Sequence, residues 1–250
     1  MAQIALQEVG IDFPVFTSRS RGLINTVLGY ASHEQKRVEA AGLSGNTVHA
    51  LRGVSLELRS GDRVGIVGRN GAGKTTLLRV LSGVYEPYQG QVEIVGRVAS
   101  LTELTLGMDF DASGYENIII RSIILGKTRS EAQKLIPDIE AFTELGEYLN
   151  LPVRTYSSGM LLRLAFAVST SITTEILLMD EMVGAGDAQF LEKAQQRLLG
   201  LMSQVSILVI ASHSNPLLKN FCTKGVYLRS GCVMYVGPID ECIERYQQQT

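Results

Sequence analysis

The stretch from Arg63 to Gly83 reads "RVGIVGRNGAGKTTLLRVLSG" and leaves the chain around it few options. Arg63 to Val67 is a short strand pattern, the loop after it is rich in glycine, and apolar residues then recur at helical spacing until Gly83, with Pro87 and Gly90 beyond. A strand that runs through a tight loop straight into a helix is the opening of a β-α-β unit, which requires a parallel sheet with helices on its faces. Two later runs, "EILLMDE" and "VSILVIASH", are uniformly apolar, as strands buried on both faces are. The expected fold class is α/β.

The loop also carries chemistry. "GRNGAGKT", Gly68 to Thr75, matches G-x-x-x-x-G-K-[ST] between a strand and a helix. Its glycines let backbone N–H groups converge on phosphate oxygens, and the helix N-terminus adds partial positive charge. Lys74 is placed to bridge the β- and γ-phosphates of ATP, and the Thr75 hydroxyl to ligate Mg2+. Gly68, Arg69, Asn70, Gly71, Ala72, Gly73, Lys74, Thr75 and Thr76 are the candidate nucleotide contacts. A phosphate loop needs an acid for its magnesium, and "ILLMDE" delivers Asp180 to the C-terminal end of a buried strand, where ligands gather in open α/β sheets. Glu181 follows, placed to orient or deprotonate an attacking water, although an acidic pair can also be a solvated strand end. "VIASHS" closes a further strand with His213, a candidate γ-phosphate contact where a lone histidine more commonly serves structure. The catalytic candidates are Glu181, His213 and Lys74.

Composition narrows the remaining classes. A formal charge of −2 over 250 residues argues against a protein that coats nucleic acid, which needs a concentrated cationic face. Cys222, Cys232 and Cys242 are odd in number and form no CxxC pair, so buried thiols are expected in place of disulfides or a zinc site. "MAQIALQEVGIDF" has no basic start followed by a long apolar run, so no signal peptide is expected and the chain should stay in the cytosol. "NIIIRSIILG" is interrupted by Arg121 and far shorter than the roughly 20 apolar residues that span a bilayer.

The pattern is that of one nucleotide-binding domain over 1–250. Residues 1–100 and 169–250 supply an α/β core with an antiparallel β subdomain, including a hairpin around Ser230-Gly231. Residues 101–168, where the strand signal fades, form an inserted helical subdomain, and 17–48 form a variable amphipathic insertion. No internal repeat is visible, which excludes a tandem arrangement of two such domains.

The order of phosphate loop, helical lobe, "YSSGM", "ILLMDE", "GAGD" and "ASH" resembles the nucleotide-binding subunit of an ATP-binding cassette transporter over nearly the whole chain. That resemblance implies a P-loop NTPase core with a RecA-like parallel sheet, ATP and Mg2+ as cofactors, ATP hydrolysis, and a homodimer. "YSSGM" stands where the family has its "LSGGQ" signature. Two subunits of the family pair head to tail, and each signature caps the ATP held by the other's phosphate loop. Ser157 and Gly159 match the signature. Ser158 and Met160 depart from it; a small Ser still permits close approach but restricts φ, and Met removes a polar contact. Asp187 in "GAGD" matches the aspartate that bridges the dimer. The family stacks an aromatic from its first strand region on adenine, and "IDFPVF" offers Phe13 and Phe16 in place of the usual Tyr, with core packing the other use of either ring. It also carries a glutamine that couples magnesium to the membrane subunit. "VASLTELTLGMDF" has no Gln, and Glu103 or its neighbours occupy that region, which makes Glu103 the remaining candidate metal contact beside Thr75 and Asp180.

"YSSGM", the extended phosphate-loop stretch and "GYENI" are similar to the exporter ATPases that move O-antigen, capsule or teichoic-acid polysaccharides on lipid carriers. An integral membrane permease is then the implied partner, and the cytoplasmic face of the inner membrane the implied peripheral location, with no role for nucleic acid. Leu23, Ile24, Val27 and Leu28 share a helical face behind Arg19 and Arg21, suited either to lipid headgroups or to covering the chain's own sheet. The end at Thr250 carries the expectation that no sugar-binding domain is appended. Alternatives are the ATPase of another transporter of this kind, importer or drug or lipid exporter, and a soluble non-transport relative acting on ribosomes or DNA. The second is disfavoured by the lack of a second cassette, a charged linker and a basic surface. Asp111-Ala112-Ser113-Gly114 fits the D-x-x-G of GTPases, but no N-K-x-D accompanies it.

Overall fold

The computed structural model describes residues 1–14, 43–44, 47–180 and 188–249. Phe16, Glu181, Asp187 and most of the 17–48 insertion lie outside the described residues. The chain divides into two compact units, Gln3–Val95 with Ala211–Thr250, and Met1–Ala2 with Gly96–Ile210.

In the first of these, β1 (Gln3–Pro14) pairs antiparallel with both β3 (Thr47–Arg59) and β5 (Gln89–Val95), and β2 (Leu43–Ser44) lies on β3, giving the order β2-β3-β1-β5. Val54, Leu56 and Leu58 are buried while Ser55 and Glu57 face water, the period of two that a half-covered sheet imposes. The strand ends in a turn closed twice: Asp62 N donates to Arg59 O at 2.9 Å, and Arg59 N donates to Asp62 Oδ2 at 2.8 Å. β4 (Arg63–Val67) then runs parallel to β9 (Lys224–Arg229), and β9 turns back into β10 (Cys232–Pro238). Ser230 at φ 48 and Gly231 at φ 80 make the two-residue turn whose twist matches its strands. Helix α1 (Lys74–Leu81) leaves the end of β4, and α6 (Asn215–Phe221) and α7 (Ile239–Gln248) press Leu218 and Ile239 against Gly65.

The second unit holds β6 (Val98–Ser100) parallel to β7 (Ile176–Asp180), with β8 (Ile207–Ala211) next to β7. Ile176 to Met179 and all of β8 are buried, which explains their unbroken apolar sequence. Four helices accompany them: α2 (Gly114–Ile124), α3 (Arg129–Thr143), α4 (Ser158–Thr170) and α5 (Ala188–Gln204). α2 and α3 each begin in a capping box, Ser113 with Glu116 and Thr128 with Glu131, a device worth about 1 kcal/mol. The phenyl rings of Phe142, Phe166 and Phe190 meet at centroid distances of 5.5 to 6.2 Å and tie α3, α4 and α5 together. Arg121, which interrupts the apolar run of α2, is buried; it donates to Leu104 O and, at 3.0 Å, to Ser169 Oγ. Burial lowers its guanidinium to about 10, so it stays charged at neutral pH. Among the described residues no helix is long and apolar enough to cross a membrane.

The cysteines depart from expectation in one place. Cys222 and Cys242 are buried, but Cys232 is half-exposed because β10 is an edge strand. Burial pushes the Cys222 thiol up to about 12 and the Cys242 thiol up to about 11, leaving little reactive thiolate near pH 8. Iodoacetamide should therefore modify Cys232 first in the native protein, and all three cysteines together once denaturant is added. Mass spectrometry showing Cys222 or Cys242 alkylated as fast as Cys232 would contradict this packing.

Candidate functional site

The site begins where β4 stops. Ile66, Val67 and Gly68 are buried, Arg69, Asn70 and Gly71 reach the surface, and the chain then enters α1 with Gly73 as N-cap at φ 105. Most helices place Ser, Thr, Asp or Asn there, with its side-chain oxygen on the first N–H groups. Gly73 offers no such bond, and the first turn of α1 contains no acidic residue, so the helix directs its positive end toward an outside anion. Its position is fixed from behind. A Cβ on Gly73 would stand 2.8 Å from Ala50 O and 3.1 Å from Leu51 Cδ2. Gly231 N donates to Ala72 O at 3.0 Å, and Arg52 N donates to Gly231 O at 2.9 Å. Strand β3 and the β9–β10 turn thus form a wall behind the loop.

Lys74 is 8% exposed and bends back over the loop, its Nζ donating to Gly68 O at 2.8 Å and to Arg69 O at 3.3 Å. The same ammonium lies 3.2 Å from His213 Nε2, the exposed residue two positions after β8. An ammonium only donates, so Nε2 is the accepting side of this contact. Lys74 and His213, separate candidates in the sequence, form one cationic and polar pair at the mouth of the loop. Thr75 is exposed on the first turn of α1 and Thr76 half-exposed beside it.

Asp180 closes β7 half-buried, after four buried residues. Glu103 is half-buried in the turn after β6, where its carbonyl accepts from Leu106 N at 3.2 Å. No three His, Cys, Asp or Glu side chains converge on a cation among the described residues. Magnesium habitually binds through one or two protein oxygens plus phosphate and water. Phe13, on β1, stands edge-on to Tyr85 with centroids 5.3 Å apart, and Arg79 donates to the Tyr85 hydroxyl at 2.8 Å.

In the other unit, "YSSGM" opens α4. Ser157 is the N-cap, its Oγ accepting from Met160 N at 3.3 Å, and Ser157 and Ser158 are both exposed. Nothing stands within 3.4 Å of a Cβ built on Gly159, and no acid occupies the first turn, so this is a second helix N-terminus open to an anion. Tyr156 anchors the turn from behind by donating its hydroxyl to Tyr148 O at 2.7 Å. The hydroxyl oxygen also lies over Gly114, where a Cβ would come within 2.4 Å of it. "GYENI" and "YSSGM" therefore interlock. Gly114 admits Tyr156, and Glu116 caps α2. Buried Asn117 accepts from Asp109 N at 2.8 Å and donates to Asp109 O at 2.7 Å and Ser113 O at 2.9 Å. The Ser113 backbone N–H holds the Glu116 carboxyl below the usual carboxylate range.

Comparison with known proteins identifies the family. The family model described as ABC transporter matches residues 51–184. The O-antigen export system ATP-binding protein RfbE of Yersinia enterocolitica is 44% identical over 239 residues, covering 93% of this chain and 97% of that protein. The teichoic acids export ATP-binding protein TagH of Bacillus anthracis is 38% identical over 200 residues, covering 80% of this chain but only 36% of that protein. Among solved structures, a dimeric ATP-binding cassette in a post-hydrolysis state with ADP and Pi superposes with a TM-score of 0.66 at 20% identity, covering 94% of this chain and 98% of that one. At that identity the likeness speaks for the fold.

The wall behind the loop generates a test. Gly73→Ala puts a side chain in the left-handed region and drives it into the Ala50 carbonyl, a cost of about 1–3 kcal/mol. The variant should melt several degrees lower and lose ATP binding in calorimetry; unchanged binding and melting would show that the N-cap is not held as described.

Proposed function

The chain belongs to the ABC transporter family and is an ATPase of it, and on that premise we propose that it drives export of a lipid-linked polysaccharide from the cytoplasmic face of the cell membrane. The observation that carries this reading is the interlock of Gly114 with Tyr156, because it makes one structural unit of the two motifs in which the sequence resembles the polysaccharide-exporter group. Likeness to RfbE along nearly its whole length supports it.

The proposed working form is a homodimer, because each half of the chemistry ends in an open helix terminus. α1 supplies the cradle, with Lys74 over the β- and γ-phosphates and His213 beside it. α4 supplies Ser157, Ser158 and Gly159 as donors to the γ-phosphate held by the second copy, which gives the altered signature its purpose in trans. Thr75 and Asp180 are assigned to magnesium and Glu181 to the attacking water, with Asp187 bridging the copies. Phe13 or Phe16 is assigned to adenine, and Glu103 to the region that elsewhere carries the coupling glutamine. Leu106, Phe110 and Ile124, at 58%, 48% and 61% exposure, are exposed apolar side chains of the same unit as α4 and are assigned to contact with the permease.

Glu181→Gln should keep ATP binding and lower turnover by about 10²- to 10⁴-fold, the usual loss for a general base. Turnover within a factor of about two of wild type would remove Glu181 from that role. A strain lacking the chain should lose its surface polysaccharide and accumulate lipid-linked polymer in the cytosol. Unchanged surface polymer without accumulation would overturn the export assignment.

A further inference from the structure

β5 ends the antiparallel sheet: it pairs with β1 along one side, and among the described residues nothing pairs with the other. Its seven residues, "QGQVEIV", contain no proline and no lysine, two of the devices by which proteins blunt such an edge. An open cavity of about 710 Å³ lies alongside, lined by β5 from Gly90 to Ile94, by Gln7 of β1 and by Tyr85 and Glu86 beyond α1. That so many consecutive β5 residues line it places the cavity along the strand's length. Its lining holds two carboxylates, Glu86 and Glu93, and neither Lys nor Arg. Both glutamates are exposed, and neither has an ion-pair partner among the described residues. Tyr88 and Val95, at 61% and 46% exposure, leave apolar surface at the two ends of the strand.

We propose that β5 and its cavity receive an extended, Lys/Arg-rich cytosolic segment of the membrane partner. The segment adds as a strand: its backbone pairs with the open edge, and alternate side chains point into the cavity, where Glu86 and Glu93 select cations. Charge complementarity chooses the occupant, since the cytosolic segments of membrane proteins carry an excess of Lys and Arg. The identity of the partner rests on the export reading above, whereas the surface itself does not.

The probe is a fluorescent, end-blocked peptide of alternating Lys and Val, about as long as an ordinary strand, followed by polarisation on the intact chain. It should bind, with affinity falling at least about tenfold in the Glu86→Lys, Glu93→Lys double variant and about tenfold when alternate peptide amides are N-methylated. ATPase activity of the double variant should be unchanged, which shows that it folds. No binding, equal binding to the variant, or equal binding of the methylated peptide would each overturn strand addition. So would nucleotide-free dimers of the chain that Glu93→Lys dissociates while the peptide fails to bind, because the edge would then belong to a second copy. In membranes, a photocrosslinker at Glu93 should capture the permease. Peptide binding without that capture overturns the choice of partner, and an absent export phenotype with capture intact overturns only the export reading.

Discussion

The proposed nucleotide cradle rests on one tight approach, the backbone of Gly73 against the carbonyl of Ala50. It holds the N-terminus of α1 just past the end of a buried strand, with no side-chain capping hydrogen bond and no acidic residue in its first turn. A bare helix start is normally a defect that water or a cap repairs. Here β3 and the β9–β10 turn back the loop, and the partial positive charge of the helix start is what the proposed phosphate site uses. Lys74 can fold back onto Gly68 and Arg69 only because that backbone stays fixed, and His213 completes the mouth through the same ammonium.

The start of α4 repeats the physics with different supports. Ser157 caps one backbone N–H and leaves Ser158 and Gly159 at the surface, while Tyr156 holds the turn from behind through Tyr148 and Gly114. Replacing the family's leucine with tyrosine requires a glycine opposite it, and "GYENI" supplies one. The departure at Ser158 is tolerated because the position lies inside a helix, where φ is negative and a Cβ costs nothing. Two helix starts of this kind suit a polyanion held between two copies, as the proposed dimer would hold ATP.

The phosphate loop, α1, β7, β8 and the final hairpin were legible in the sequence because each is set by residues within a few positions of one another. Lys74, His213 and Ser157 were legible as candidates for the same reason. What escaped is carried by backbone atoms or by distant partners. Ala50 and Gly231 support the loop through a carbonyl and an N–H, which leave no mark on residue type. Tyr156 meets Gly114 across more than forty positions, so periodicity gives no sign of the pairing. Arg121 reads as a charge breaking an apolar run, yet it is buried and holds the Leu104 carbonyl, a use that only tertiary structure reveals. Cys232 escapes burial because strand order, which the sequence does not state, leaves β10 at an edge.

The central claim is that Ser157 of one copy completes the phosphate loop of another. Cysteines introduced at Ser157 and Asn70, in a Cys232→Ser background, test it through disulfide formation with and without ATP in the slow-hydrolysing Glu181→Gln form. The account predicts a crosslink that appears with ATP and joins different chains, giving a covalent dimer on a non-reducing gel. A crosslink confined within single chains, or one indifferent to ATP, would contradict it.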